Sequence, residues 1–379
     1  MNLFDVYPLF DITPVKGEGI YLYDNKGNRY MDLYGGHAVI SVGHSHPHYV
    51  EAITKQLNQL GFYSNSVKIP QQLELAEKLG GLSGYPDYSL FLCNSGAEAN
   101  ENALKLASFK TGRNKIIAFR KSFHGRTSLA VAATDDKTIK SKVNSDADII
   151  FLTLNDEQAL TEAMNDEVCA VIVEGIQGVG GVNIPGVPFL KLARQLCDKY
   201  GASLILDEVQ SGYGRTGYFF AHQCASIQPD LITVAKGMGN GFPVAGVLIH
   251  PSFGARHGLL GTTFGGNYLA CAAAIAVLDI IKSENLIQNA QNTGNYLMQQ
   301  LQAIEGVKAI RGMGLMVGVE LNGPCTAVRN NLLQQHRIFT GSSSHKNTLR
   351  ILPPLNIARE HIDVFVDAFS SSLKETAVL

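Results

Sequence analysis

The sequence predicts an α/β protein with one large, doubly wound, mixed but mostly parallel sheet and a smaller α+β domain. Three observations carry this expectation. After residue 50, short apolar runs alternate with helical stretches, the pattern of parallel strands joined by crossover helices. Two of the runs, ILDEVQSGYGRTG and TVAKGMGNGFPVAG, break at Asp207 and Lys236 and pass into glycine-rich loops, as strands do at the ligand-binding edge of such a sheet. Beyond Asn267 the pattern changes to a long Ala/Leu helix and then short strands with a closing helix. The expected division is 1–50 as an N-terminal segment joining the small domain, 51–265 as the large domain, and 266–379 as the linking helix and C-terminal small domain.

Taken in order, YLYDNKGNRYMDL alternates on both sides of the polar turn Asn25–Asn28 and reads as a hairpin. The loop GGHAVISVGHSHPH follows. Strands are expected at Ser89–Leu92, Lys115–Phe119, Asp148–Leu152, Val168–Glu174, Ser203–Leu206, Leu231–Val234 and Val244–Ile249. Helices are expected at Ala97–Thr111 and Val187–Tyr200, and from Asn267 towards Ser283. No internal repeat, low-complexity tract or charge run interrupts the chain.

Composition narrows the function classes. With 45% hydrophobic and 17% charged residues, a chain of 379 residues can bury a large core. Its 31 basic and 33 acidic residues leave a net charge of −2, with no basic stripe for nucleic acid. The opening MNLFDVYPLFDITP lacks a secretory pattern, and the apolar run Leu269–Leu278 is too short to cross a bilayer. Cys93, Cys169, Cys197, Cys224, Cys271 and Cys325 are scattered without a Cys-x-x-Cys pair. Free thiols in a soluble cytoplasmic protein are the expectation.

The chemistry begins at the two strand ends. A lysine closing a buried strand is costly unless its amine is used, because desolvation disfavours the ammonium. Such an amine can condense with an aldehyde, and a nearby carboxylate can keep a pyridine nitrogen protonated. Lys236 and Asp207 therefore suit pyridoxal phosphate chemistry; either motif alone also fits an ordinary solvated loop. NSGAEANENALKLA adds a capping box, Ser95-x-x-Glu98, at a helix start. The N–H groups of Gly96 and Ala97 there make a phosphate seat, or simply a capped helix. Two other motifs are weaker. Gly212–Gly217 matches G-x-G-x-x-G and raises a dinucleotide-binding oxidoreductase, but Asp207, Glu208, Val209 and Gln210 intervene after the strand and no helix pattern follows. His44, His46 and His48 alternate without a carboxylate or cysteine at ligand spacing, so no metal is expected.

Read together, SGAEANE, FHGRT, EGIQG, DEVQ, the Lys236 loop, GTTFGGN and LRILPP resemble the class III, ornithine-type aminotransferase family over essentially the whole chain. The resemblance implies the fold of type I pyridoxal-phosphate enzymes and a homodimer with shared active sites. It implies that Lys236 carries pyridoxal 5'-phosphate and shuttles the substrate proton, while Asp207 pairs with the ring nitrogen. Ser95, Gly96 and Ala97 would hold the phosphate, with Thr263 donated across the dimer. Phe123 and Val209 would flank the ring, and Glu208 and Gln210 complete the DEVQ contribution, Gln210 on the ring-hydroxyl side. Arg126 would receive the substrate α-carboxylate, Thr262 would lie near substrate, and Arg350 would receive glutamate or 2-oxoglutarate. The similarity is greatest to members that move the δ-amino group of an N2-acylated ornithine, acetyl or succinyl, to 2-oxoglutarate in arginine biosynthesis. Free ornithine and 4-aminobutyrate are the alternative substrates. Two departures bear on substrate: Val179 stands where the family carries glutamate, and His37 where it carries an aliphatic residue.

Overall fold

Asp24 organises the first hairpin. Its carboxylate accepts the N–H groups of Lys26 (2.9 Å) and Asn28 (2.8 Å) and the Tyr30 hydroxyl (3.0 Å). Gly27, at φ 79°, provides the left-handed position that the turn needs. Strands β1 (Pro14–Glu18), β2 (Tyr21–Asp24) and β3 (Arg29–Asp32) then form an antiparallel meander. The computed structural model describes residues 1–144 and 147–376.

The large sheet is built from β4 (Ser89–Cys93), β5 (Lys115–Phe119), β6 (Ile149–Leu152), β7 (Val168–Glu174), β8 (Ser203–Asp207), β9 (Leu231–Val234) and β10 (Ala245–Ile249). Their spatial order is β4-β10-β9-β8-β7-β5-β6. Strand β10 runs antiparallel to both neighbours, and the other pairings are parallel. All seven strands lie where the apolar runs place them, within a residue or so at the ends.

Alternation along the strands explains why helices cover both faces. Ile116, Ala170, Ile172 and Ile205 pack with Ala99, Ala103, Leu104 and Ala107 of the helix Gly96–Thr111. Their neighbours Ile117, Val171, Val173 and Leu204 pack with Phe189, Leu190, Ala193 and Cys197 of the helix Val187–Tyr200. Every residue of β7, β8 and β9 is buried, as expected for central strands without a solvent face.

The helix Tyr268–Ser283, capped by Asn267, leads to the smaller α+β region. There β11 (Val307–Met313), β12 (Met316–Leu321) and β14 (Thr348–Ile351) form a second sheet, while β13 (Ile338–Phe339) pairs in parallel with β3. The helix Arg359–Glu375 closes the fold. All six cysteines are free thiols. Among the described residues, no helix is long and apolar enough to cross a membrane.

Candidate active site

Parallel strands deliver their C-terminal residues to one edge. Glu174 ends β7, Asp207 ends β8 and the two are register partners; Lys236 follows β9 by two residues. The loops after β4 and β5 reach the same edge. Together they enclose a cleft of about 410 Å³ whose walls include Gly96, Phe123, Glu174, Asp207, Val209 and Lys236.

Asp207 is 4% exposed and fully engaged. One carboxylate oxygen accepts the Val209 N–H at 3.0 Å; the other accepts Asn100 Nδ2 and faces His124 Nδ1, each at 2.7 Å. Burial alone would lower the His124 pKa, but the hydrogen bond and charge of Asp207 outweigh it and hold the imidazole above its ordinary value. Such clamping fixes the carboxylate's direction. Asn100, His124 and Glu174 were not singled out from sequence. Each lies inside a motif read for other reasons, and only the fold turns it towards Asp207.

Glu174 is buried on the same wall, accepting the N–H groups of Phe123 (3.0 Å) and Gly178 (3.3 Å). Desolvation raises its carboxyl to about 7, against the opposing pull of His124. For Lys236, desolvation pulls the ammonium below its usual range; Asp207 and Glu174 oppose this and Arg350 adds to it. Lys236 also has a left-handed backbone, φ 46°. A side-chain-bearing residue held there marks strain that the surroundings enforce, a common property of functional positions.

At the phosphate seat, Ser95 caps its helix by accepting the Glu98 N–H at 3.2 Å. The expected reciprocal bond is displaced by one residue: Glu98 accepts the Asn94 N–H at 2.6 Å. The N–H groups of Gly96 and Ala97 belong to the first turn and have no acceptor within the helix. Gly96 is required by a close approach, since a Cβ there would lie 2.7 Å from Val209 Cγ1.

The remaining expected residues divide. Phe123, Val209, Gln210 and Arg126 line the cleft. Gln210 Nε2 donates to the His37 carbonyl at 3.1 Å, and its Oε1 lies 3.5 Å from Arg350 Nη1. Arg350 is 3% exposed and also donates from Nε to the Ser342 carbonyl at 2.6 Å. Glu208 faces away from the cleft. Its carboxylate is consumed by His222 Nδ1 (2.7 Å), Ser211 Oγ (2.6 Å) and the Ala221 N–H (3.1 Å), which anchor the loop after β8. Thr262 reaches the phosphate seat indirectly, accepting Asn94 Nδ2 at 3.2 Å, whereas Thr263 is exposed. The glycine-rich Gly212–Gly217 runs as turns, and the buried Arg215 within it donates to the backbone carbonyls of Leu315 and Pro353. His44, His46 and His48 each face a carboxylate: Asp32, Glu284 and Asp279.

A strand-end amine of lowered basicity, a clamped carboxylate and a helix N-terminus around one cleft define a pyridoxal-phosphate-dependent transaminase. The chain belongs to the class-III aminotransferase family, whose model matches residues 5–373. It is 39% identical to the acetylornithine aminotransferase of Nitrosomonas europaea, over 98% of this chain and 97% of that one. Identity to the acetylornithine aminotransferase of Bacillus subtilis is 41%, over 95% and 94%. Among solved structures, the ornithine aminotransferase of Toxoplasma gondii, described with partial occupancy of PLP at its active site, superposes with a TM-score of 0.90. That match covers 97% of this chain and 92% of the other, at 28% identity.

Proposed function

We propose that the chain transfers the δ-amino group of an N2-acylated ornithine to 2-oxoglutarate, yielding N-acylglutamate 5-semialdehyde and glutamate in arginine biosynthesis. The observation that carries this reading is the placement of Lys236 and Asp207 on one cleft with two guanidinium groups nearby, Arg126 on its wall and Arg350 3.5 Å from the cleft residue Gln210. Near 40% identity over nearly full length to acetylornithine aminotransferases supports it.

Bound pyridoxal phosphate supplies an aldehyde for amine exchange and a ring that accepts electron density. The residues fit that group: Lys236 and Asp207 line one cleft, and Val209 packs directly on Gly96 at the start of the helix, where a Cβ would lie 2.7 Å from Val209 Cγ1. Gly96 and Ala97 would hold the phosphate at the helix N-terminus, Ser95 presenting that terminus. Asp207, clamped by His124 and Asn100, would pair with the ring nitrogen, and Phe123 and Val209 would flank the ring. Lys236, made less basic by burial, would move the proton at the substrate carbon. Arg126 receives the α-carboxylate, and Arg350 the second carboxylate of glutamate or 2-oxoglutarate.

Thr263 has an exposed position that serves a second copy of the chain, so the working unit is a homodimer with shared sites. Exposed Phe264 and Phe62, whose rings lie 5.4 Å apart, suit such an interface. The deciding experiment ranks kcat/KM for N-acetylornithine, N-succinylornithine, ornithine and 4-aminobutyrate against 2-oxoglutarate. An acylated ornithine should lead; a leading 4-aminobutyrate or free ornithine would overturn the assignment. The succinyl form is a second reading, favoured by Val179 on the cleft wall, which leaves Arg350 without a carboxylate ion pair among the described residues. The Ser342 carbonyl and Gln210 partly satisfy that cation. Val179→Glu should lower the succinyl-to-acetyl ratio if the reading holds.

A further inference from the structure

The turn after β3 is unusual for a segment bordering the cleft. Gly35, Gly36, His37 and Ala38 have φ values of 55°, 54°, 68° and 63°, four successive residues in the left-handed region, two of them with side chains. L-residues visit that region singly and at a cost. Three attachments hold the turn. Asp32 Oδ1 accepts the N–H groups of Tyr34 (3.0 Å) and Gly35 (2.8 Å), and Gln210 donates to the His37 carbonyl at 3.1 Å. Gly35 is confined as well, since a Cβ there would lie 3.0 Å from the Leu352 carbonyl oxygen.

The outcome is a placed imidazole. His37 Nδ1 pairs with the Tyr34 hydroxyl. The Tyr34 ring is fixed in turn, with the Arg350 guanidinium 5.9 Å from its centroid and Gly341 packed so closely that a Cβ there would lie 2.5 Å from it. His37 itself is exposed, so core packing gives no reason to keep a histidine where glycine would sit without strain. Strain retained beside a cleft points to function.

We propose that His37 reads the acyl group of the amine substrate, donating its Nε2 N–H to the acyl carbonyl oxygen while Tyr34 occupies Nδ1. The inference rests on the acylornithine reading above and names the residue that enforces it. Burial raises the Tyr34 pKa, so its hydroxyl stays protonated and donates to Nδ1, which leaves the proton on Nε2. Although the side chain keeps an exposed face, partial desolvation of the imidazole, then Arg350, Lys236 and Arg329, hold His37 below its ordinary pKa, which favours the uncharged ring. An amide carbonyl is the matching acceptor. Free ornithine would bring an ammonium to the same place, a donor facing a donor near the Arg350 guanidinium. Mismatched polar groups of this kind discriminate strongly against the wrong substrate.

The test compares kcat/KM for N-acetylornithine over ornithine in wild type, His37→Gly and His37→Asn, with thermal stability of each holoenzyme. Glycine relieves the left-handed strain, so His37→Gly should melt at or above the wild-type temperature while the substrate ratio falls by about tenfold or more. Asparagine tolerates the same backbone and keeps an N–H donor, so it should retain more of the ratio than glycine. A His37→Gly enzyme with an unchanged ratio overturns the proposal, as does one whose ratio falls together with its melting temperature, the mark of a purely structural role. A wild type that shows no preference for N-acetylornithine instead removes the functional reading on which the proposal stands.

Discussion

Asp207 can serve a ring nitrogen only if it stays ionised in a buried place, and three donors converge on it for that purpose: Val209 N–H, Asn100 Nδ2 and His124 Nδ1. Asp207→Asn should keep the cofactor and lose about two powers of ten in turnover, roughly 3 kcal/mol of transition-state stabilisation. Near-normal turnover would remove the charge from the mechanism. Glu174 makes a second prediction at the same scale. Its folded pKa of about 7 exceeds its ordinary 4.5, so between those values the native state binds more protons than the unfolded chain. Raising the pH through that window therefore costs stability, at most on the order of 3 kcal/mol. His124, also raised, loses stabilisation in the same direction as pH climbs above its ordinary value. Glu174→Gln should lose less stability than wild type between pH 5 and pH 8 in urea unfolding at each pH. An identical pH slope in both proteins would refute the assignment.

At the scale of elements, the helix Gly96–Thr111 does two jobs. Its apolar face covers one side of the sheet, and its first turn presents unpaired N–H groups to the cleft. The displaced bond from Asn94 to Glu98 matters here, because Glu98 satisfies the residue before the cap and does not draw on the N–H groups of Gly96 or Ala97. Gly96→Ala places a methyl 2.7 Å from Val209 Cγ1, and Val209 must then move into the cleft. Cofactor affinity should fall by about tenfold, or 1.4 kcal/mol, with the fold intact. Unchanged affinity in a cofactor titration would show that Val209 does not bound the bound ring. The loop after β8 shows the complementary case. Glu208 lies beside two cleft residues in sequence, yet its carboxylate ties Ser211, Ala221 and His222 together on the far side. Adjacent residues at a strand end point opposite ways, so the period of the backbone separates Asp207 and Val209 from Glu208.

For the whole molecule, the prediction is dimerisation with exchange of parts between sites. Sedimentation should give a dimer, and Thr263→Ala should weaken cofactor binding although Thr263 is exposed on its own chain. Mixing Thr263→Ala with Lys236→Ala subunits should restore some activity as subunits exchange, because one of the two sites then carries both native residues. An active monomer would rule out the shared site.

Sequence alone determined the seven strands of the large sheet, the main helices and the placement of Lys236 and Asp207 at strand ends. Those features rest on local rules: apolar runs, a capping serine, and ionisable residues at strand ends. Tertiary structure alone decided that β10 runs antiparallel, since an apolar run reads the same in either direction. It also decided that β13 returns to β3, that Glu208 turns away from the cleft towards Ser211, Ala221 and His222, and that Asn100, His124 and Glu174 gather around the cleft. Those outcomes depend on partners far along the chain, such as the pairing of Asn100 with Asp207, and on hydrogen bonds that exist only when the strands are side by side. The left-handed turn at Gly35–Ala38 belongs to the same group. Two glycines hinted at it, but the strain at His37 is held by Asp32, Gln210 and Leu352, and a local sequence rule cannot see forces applied from elsewhere in the fold.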